Sequence, residues 1–191
     1  MPIQPTPRVT PEEYLARERA AETKSEYFEG ELFAMSGASP AHVLIVTNVV
    51  SELRQQLRAR NCRVYSTDLR VKVSATGLYT YPDVIVVCGE ARFEDEQRDT
   101  LVNPALIVEV LSKSTQDYDR GAKFEQYRTI ESFNEYVLIA QDKPHVEHFL
   151  RQADGRWLLA ETNRLGDRIE LESIGAHLAV ADVYEKVELS R

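Results

Sequence analysis

Two acidic residues stand where acids are costly. Glu109 interrupts the apolar run Leu106-Ile107-Val108-Glu109-Val110-Leu111, and Asp83 follows Pro82 at the head of the run Val84-Ile85-Val86-Val87. An ionised carboxylate in dry surroundings must be paired or must hold a cation. Paired carboxylates offer the hard oxygens that Mg2+ or Mn2+ takes, so Asp83 and Glu109 are read as a metal-binding pair. Positive charge follows Glu109 closely: Lys113 lies in a polar turn, and Arg120 and Lys123 open a helix beside Asp119. The ordinary alternative for Lys123 is a surface lysine paired with Asp119 at i,i+4. Two further residues are candidates for the same chemistry. Glu31 could add a third carboxylate, and His42 sits in the first turn of a helix, where backbone N–H groups and the helix dipole favour an anion.

These residues need a frame, and the flanking sequence supplies one. Ser39-Pro40 caps and starts a helix over residues 40–59, in which Val46, Val49, Val50, Leu53 and Leu57 form one apolar face. Residues 62–73 alternate as a strand with an irregularity at Thr67-Asp68. Ala75-Thr76-Gly77 turns the chain back into a strand over 79–88, and Pro82 marks an edge, a strand start or a bulge. A third strand covers 104–111. Ile107, Glu109 and Leu111 share one face of it, so Glu109 points into a covered layer. A helix over 118–130, with Phe124, Tyr127 and Ile130 as its core stripe, then crosses to a strand at 135–140 that must run parallel to the third.

The flanks are simpler. Residues 1–9 read as an extended tail and 10–191 as a single domain. Thr10, Pro11 and Glu13 start a helix running to about Ala21, and Glu29-Gly30-Glu31 turns a hairpin. The acidic stretch Gly89–Asp99 is expected to be a solvated, mobile loop. Asp154-Gly155 joins two strands, 168–171 and 178–180 add two more, and 183–189 is expected to close the chain as a helix.

Composition limits the function classes. The chain has 191 residues, of which 43% are hydrophobic, enough for a real core. It contains no apolar run of the roughly 20 residues a membrane helix needs, so a cytoplasmic location is expected. A net charge of -8 argues against a protein that coats nucleic acid nonspecifically, although Arg54, Arg58, Arg60, Arg63, Arg70 and Lys72 gather in one basic stretch. Cys62 and Cys88 lack CxxC spacing and are expected to be two reduced core thiols. His42, His145, His148 and His177 show no spacing that would support metal-free histidine catalysis.

Helix, three strands, helix and strand, with Pro82-Asp83 on the second strand and Glu109 on the third, resemble the common core of the PD-(D/E)xK nuclease superfamily. More closely, the chain resembles the Uma-two family of restriction-endonuclease-like proteins. The likeness runs through Gly30-Glu31, Met35-Ser36-Gly37-Ala38-Ser39, His42, Pro82-Asp83, Glu109-Val110-Leu111-Ser112, Ser114-Thr115, Tyr118-Asp119-Arg120-Gly121, Lys123, Tyr127-Arg128 and Glu135-Tyr136. It implies an α/β fold with a restriction-endonuclease-like core, a mixed central sheet, an N-terminal helix and hairpin, and extra C-terminal strands. It also implies a Mg2+- or Mn2+-dependent endonuclease acting on nucleic acid, with DNA the expected substrate. Asp83 and Glu109 would hold the metal, and Lys123 would complete the catalytic set. One departure matters: the position two residues after Glu109, where the superfamily name calls for lysine, is Leu111. In families resembling this one the lysine can migrate to the following helix, which favours Lys123 over Lys113. Arg120 either bridges Asp117 or Asp119 or helps to hold Glu109. The alternative is a catalytically silent homodimeric interaction module on the same fold.

Overall fold

A computed structural model of the chain describes residues 8–189, so most of the expected N-terminal tail lies outside the described residues. The centre is a six-stranded mixed sheet in the order β11-β10-β9-β8-β6-β3. Its inner strands, β6 (Val84–Cys88), β8 (Leu106–Leu111) and β9 (Glu135–Ala140), are runs of buried Val, Ile and Leu, as strands covered on both faces must be. β8 and β9 are parallel, and β6 runs antiparallel to β8.

Helix α2 (Pro40–Leu57) covers one face. Ser39 Oγ accepts from the His42 N–H at 3.1 Å, and Ile45, Val46, Val49, Leu53 and Leu57 are buried against Val84, Val86, Val108 and Val110. The other face carries Ile85, Ile107, Tyr136 and Leu138 under Phe124, Tyr127 and Phe133. Glu109 belongs to this second, aromatic layer, because it alternates with Val108 and Val110 along β8.

The strands expected at 62–73 and 79–88 each divide in two. β3 (Cys62–Ser66) pairs with β6 in the central sheet. β4 (Arg70–Val73) and β5 (Leu78–Thr80) pair in a second sheet of order β2-β1-β5-β4-β7. The break falls at Tyr81-Pro82-Asp83, where proline offers no N–H to a ladder. Across from it, the Thr67 N–H donates to the Asp83 carbonyl at 3.1 Å. One long hairpin thus bends from one sheet into the other, and Asp83 lies at the bend.

The crossover from β8 to β9 is one helical run in three parts: α3 (Gln116–Tyr118), a π-helical segment Asp119–Lys123 and α4 (Phe124–Tyr127). It starts two residues before the expected helix and ends three residues short of it. The wider π turn directs both Asp119 and Lys123 inward, and both are buried.

At the N-terminus, α1 (Pro11–Ala20) has the expected capping box between Thr10 and Glu13. The hairpin of β1 (Ser25–Phe28) and β2 (Glu31–Ala34) turns through Glu29 (φ 50°) and Gly30 (φ 91°). A side chain at Gly30 would also strike Arg8, so glycine is required there twice over.

Three expectations are corrected. The acidic stretch 89–99 is no free loop, because Arg19 bonds Asp95 at 2.7 Å and Asp99 at 2.8 Å, while Lys72 bonds Glu94 and Phe93 bridges to Leu101 in β7 (Thr100–Leu101). Cys62 and Cys88 are not free thiols. The β3–β6 register sets them directly opposite each other, Cα atoms 4.0 Å apart, and they form a disulfide. Finally, β10 (Val146–Arg151), β11 (Trp157–Thr162), β12 (Arg168–Leu171) and β13 (Ala176–Ala179) are followed by α5 (Val180–Val183), a single turn rather than a helix over 183–189. The chain leaves helical geometry after α5, and Lys186 at φ 59° is in the left-handed region. No helix among the described residues is long and apolar enough to cross a membrane.

The disulfide gives a direct test. Alkylation of air-oxidised protein should label neither cysteine, and reduction should expose both. The Cys62→Ser/Cys88→Ser double variant should lose about 3 kcal/mol of stability, as expected for a loop of 26 residues. An unchanged melting temperature on reduction would contradict this.

Candidate functional site

The register of the central sheet brings the two acids together. Val84 pairs with Val108, so Asp83, one residue before β6, comes beside Glu109. The Asp83 N–H points at Glu109 Oε2, 3.4 Å away, and Asp83 Oδ2 accepts from the Val110 N–H at 2.8 Å. Asp83 Oδ1 accepts from His42 Nε2–H at 2.9 Å. His42 can reach it because the Ser39 cap fixes the first turn of α2 over the end of the sheet.

Glu109 Oε1 lies 3.0 Å from Lys123 Nζ and accepts from the Tyr127 hydroxyl at 3.0 Å. Lys123 also lies 3.3 Å from Glu26 Oε1 and 3.4 Å from Asp119 Oδ1. Three carboxylates from three elements therefore converge on one ammonium, with Asp83 next in line. Thr80 on β5 donates to Glu26, so the second sheet is tied into the cluster as well.

Electrostatics follow from burial. The side chains of Glu109 and Lys123 are only 5% and 7% exposed. Burial pushes the Glu109 carboxyl up to about 8; Lys123 opposes the shift, and Asp119 and Asp83 add to it. Burial also disfavours the Lys123 ammonium, but Glu109, Tyr127, Glu26 and Asp119 outweigh it, and Lys123 stays charged well above its ordinary range. Asp119 is raised, chiefly by burial. Tyr127 is likewise held protonated by burial, so its hydroxyl remains a donor to Glu109. Three acids, Glu26, Glu109 and Asp119, thus share one fixed cation, with Asp83 beside Glu109. The remaining excess of negative charge is what a hard divalent ion neutralises, and Glu109 Oε2, with only a long contact from a backbone amide, is the oxygen freest to bind one.

Of the residues singled out in the sequence, Asp83, Glu109, Lys123 and His42 come together. Lys113 is exposed in the turn after β8, outside the acid cluster. Glu31 is exposed at the start of β2, and Glu26 on β1 holds the place expected of a third carboxylate. Arg120 bridges neither Asp117, Asp119 nor Glu109; it bonds Glu147 at 2.7 and 2.8 Å and Gln116 at 3.1 Å. Glu147 shares Leu138 as a cross-strand neighbour with Glu109, two strands away. His145, Glu147 and Glu161 form a tight three-ligand group there, but Arg120 already neutralises Glu147. Sequence reading missed Glu26, Asp119 and Tyr127 as members of the cluster. Asp119 and Tyr127 carried a signal, since each is four residues from Lys123 and one helical turn brings them beside it.

With this geometry in hand, comparison with known proteins is informative. Residues 11–181 match the family model Uma2, described as a putative restriction endonuclease. Two uncharacterized proteins of Synechocystis sp. (strain ATCC 27184 / PCC 6803 / Kazusa) are similar over nearly their whole length. One, slr1290, is 36% identical over 183 residues, covering 96% of this chain and 95% of that protein; the other, sll1609, is 37% identical over 172 residues, covering 90% and 96%. The fold is shared with a crystal structure described as a putative nuclease belonging to DUF820 from Anabaena variabilis ATCC 29413. The TM-score is 0.76 at 20% identity, over 94% of this chain and 99% of that one. The match spans both the acid pair on the central strands and the crossover that carries the lysine, and the chain belongs to the Uma2 family of putative restriction endonucleases.

Proposed function

We propose that this chain, acting as one domain over residues 10–191, is a metal-dependent endonuclease that hydrolyses phosphodiester bonds of nucleic acid, with DNA the expected substrate. The observation that carries the reading is the buried meeting of Asp83 and Glu109, with Lys123 Nζ 3.0 Å from Glu109 Oε1. The family description and the nuclease fold agree with it.

Asp83 and Glu109 would hold Mg2+ or Mn2+, which when bound polarises a phosphate and lowers the pKa of water. Lys123, rather than Lys113, carries the ammonium that steadies charge developing at phosphorus or orients the attacking water. His42 holds the Asp83 carboxylate in place through Oδ1, as the Val110 amide does through Oδ2. Tyr127 fixes Glu109 Oε1 and leaves Oε2 facing Asp83.

The alternative is a catalytically silent homodimeric module. Its support is the edge strand β11, where Leu158 and Leu159 stand exposed. A cytoplasmic location is proposed too.

Purified protein should nick plasmid DNA only with Mg2+ or Mn2+, and chelation should abolish cleavage. Glu109→Gln should lower the rate about a hundred- to thousandfold with the fold intact by circular dichroism, and Lys123→Met should lower it at least as far while also lowering the melting temperature. Lys113→Met should retain most activity. Cleavage by Glu109→Gln at the wild-type rate would sink the assignment.

A second test uses the raised Glu109 carboxyl. The unfolded chain gives up this proton near the ordinary glutamate value of 4.5, whereas the folded chain holds it to about 8. The stability this group contributes is therefore present below 4.5 and lost as pH rises through about 8. A divalent ion needs the ionised form, so Mg2+ should raise the melting temperature more at about pH 8.5 than at about pH 5.5, and Glu109→Gln should abolish the difference. Equal shifts at both pH values would rule out Glu109 as the ligand.

A further inference from the structure

The mouth of the acid cluster is lined by exposed apolar side chains. Phe33 on β2 pairs across the strands with Glu26, so both side chains point from the same face of the hairpin. Glu26 is 3.3 Å from Lys123, and the Tyr118 ring lies 5.8 Å from the same ammonium. Phe33 is 48% exposed, Tyr118 37% and Met35, one residue beyond the end of β2, 36%. The exposed Phe33 ring and the partly exposed Tyr118 ring, one face of which meets the Lys123 ammonium, therefore border a centre of buried charge.

Most cations on the elements around the cluster are already engaged, with Lys113 in the turn after β8 the exposed exception. Lys24 is paired with Asp68 at 2.7 Å, Arg120 with Glu147, and Lys123 with three acids. The chain as a whole carries a net charge of -8. Duplex binding draws on many Lys and Arg contacts to phosphate, which this rim does not offer. Unpaired strands can be held differently, because every base has a π-face and stacks on an exposed aromatic ring. Phe33, the cross-strand neighbour of Glu26, and Tyr118, whose ring lies 5.8 Å from the Lys123 ammonium, both border the Glu26–Lys123 pair and can offer rings to bases next to one phosphate.

We propose that the site takes nucleic acid as an unpaired strand, the bases flanking the scissile phosphate stacking on Phe33 of β2 and Tyr118 of α3. The proposal rests on the nuclease reading above and narrows its substrate to single-stranded or locally opened nucleic acid. Met35, just after β2, adds a further exposed apolar side chain. The charge centre reads the phosphate, and the rings read the absence of a pairing strand.

Binding is measured by fluorescence anisotropy on the full chain in Ca2+, using one labelled 20-nucleotide DNA strand alone and the same strand annealed to its complement. The single strand should bind at least tenfold more tightly than the duplex. Phe33→Ala and Tyr118→Ala should each weaken single-strand binding about tenfold, Phe33→Tyr should keep it, and duplex binding should not move. Melting temperatures of the variants should match wild type, since both rings are exposed. Duplex binding as tight as single-strand binding, or alanine variants with unchanged affinity, would overturn the proposal. So would binding of neither probe, or a Phe33→Ala variant that only shifts the sedimentation mass from dimer to monomer, which would make β2 an interface between copies. Cleavage lost in Glu109→Gln together with duplex preference would defeat this inference alone. Single-strand preference with an active Glu109→Gln would defeat the nuclease centre and leave the rim standing.

Discussion

A single buried ammonium organises this molecule. Lys123 is enclosed by Glu26, Glu109 and Asp119, each within 3.4 Å, and these acids come from β1, β8 and the π-helical segment. Three structural units are therefore tied to one charge: the second sheet, the central sheet and the crossover helix. Removing the lysine would leave three acids buried at close range with no fixed counter-charge, an arrangement that costs far more than any one of these ion pairs contributes. The packing around it is aromatic. Tyr127, Tyr136 and Phe133 pack edge-to-face and tilted, with ring centroids within 6 Å of one another. The low local dielectric of this buried cluster strengthens every interaction in it, attractive and repulsive alike.

Two irregularities in otherwise regular elements position the charges. The Tyr81-Pro82-Asp83 break lets one hairpin serve two sheets, and it releases Asp83 from the ladder so that its carboxylate turns toward the Val110 amide and His42. The π segment does the corresponding work on the crossover, turning Asp119 and Lys123 inward together. A regular strand and a regular helix would have placed these side chains elsewhere. Both departures lie at the ends of the parallel strands β8 and β9, the end of an α/β sheet where ligands bind.

Much of this was legible in the sequence, for identifiable reasons. Glu109 among valines and leucines could only be a buried acid, and the two-residue period of β8 put it on one face with Ile107 and Leu111, while which layer covers that face came from the structure. The parallel pairing of β8 and β9 followed from the helical crossover between them, and the capped start of α2 from Ser39-Pro40. The split of the two long strands was signalled by Pro82 and Thr67-Asp68, but not the change of sheet, which depends on what covers each half. Glu26 was illegible because its neighbours Tyr27 and Phe28 carry the same pattern as any half-buried hairpin, and its role comes from β5 and the helix packing over it. The disulfide was missed because cysteine spacing in sequence says nothing of register; only the β3–β6 pairing sets Cys62 opposite Cys88. Arg120 was misassigned for a related reason. On a regular helix it would lie one residue from Asp119, yet its partner is Glu147, brought near by a strand that forms much later in the chain.

The displaced lysine is the last point of physical interest. Leu111, at the position where the superfamily name calls for lysine, is buried in the aromatic layer with Phe124 and Tyr127. A lysine there would have to thread its stem through that layer and leave its ammonium among rings. From the helix above, Lys123 approaches Glu109 from the opposite side of the same layer, with Asp119 one turn away to hold it. The proposed chemistry asks only for an ammonium beside the strand acid, and the helix packed over the sheet face places Lys123 Nζ 3.0 Å from Glu109 Oε1. Spacing along the chain is then free to change while the spacing between atoms is kept, and that is why a motif written as consecutive residues fails to find this lysine while the buried acid still points to it.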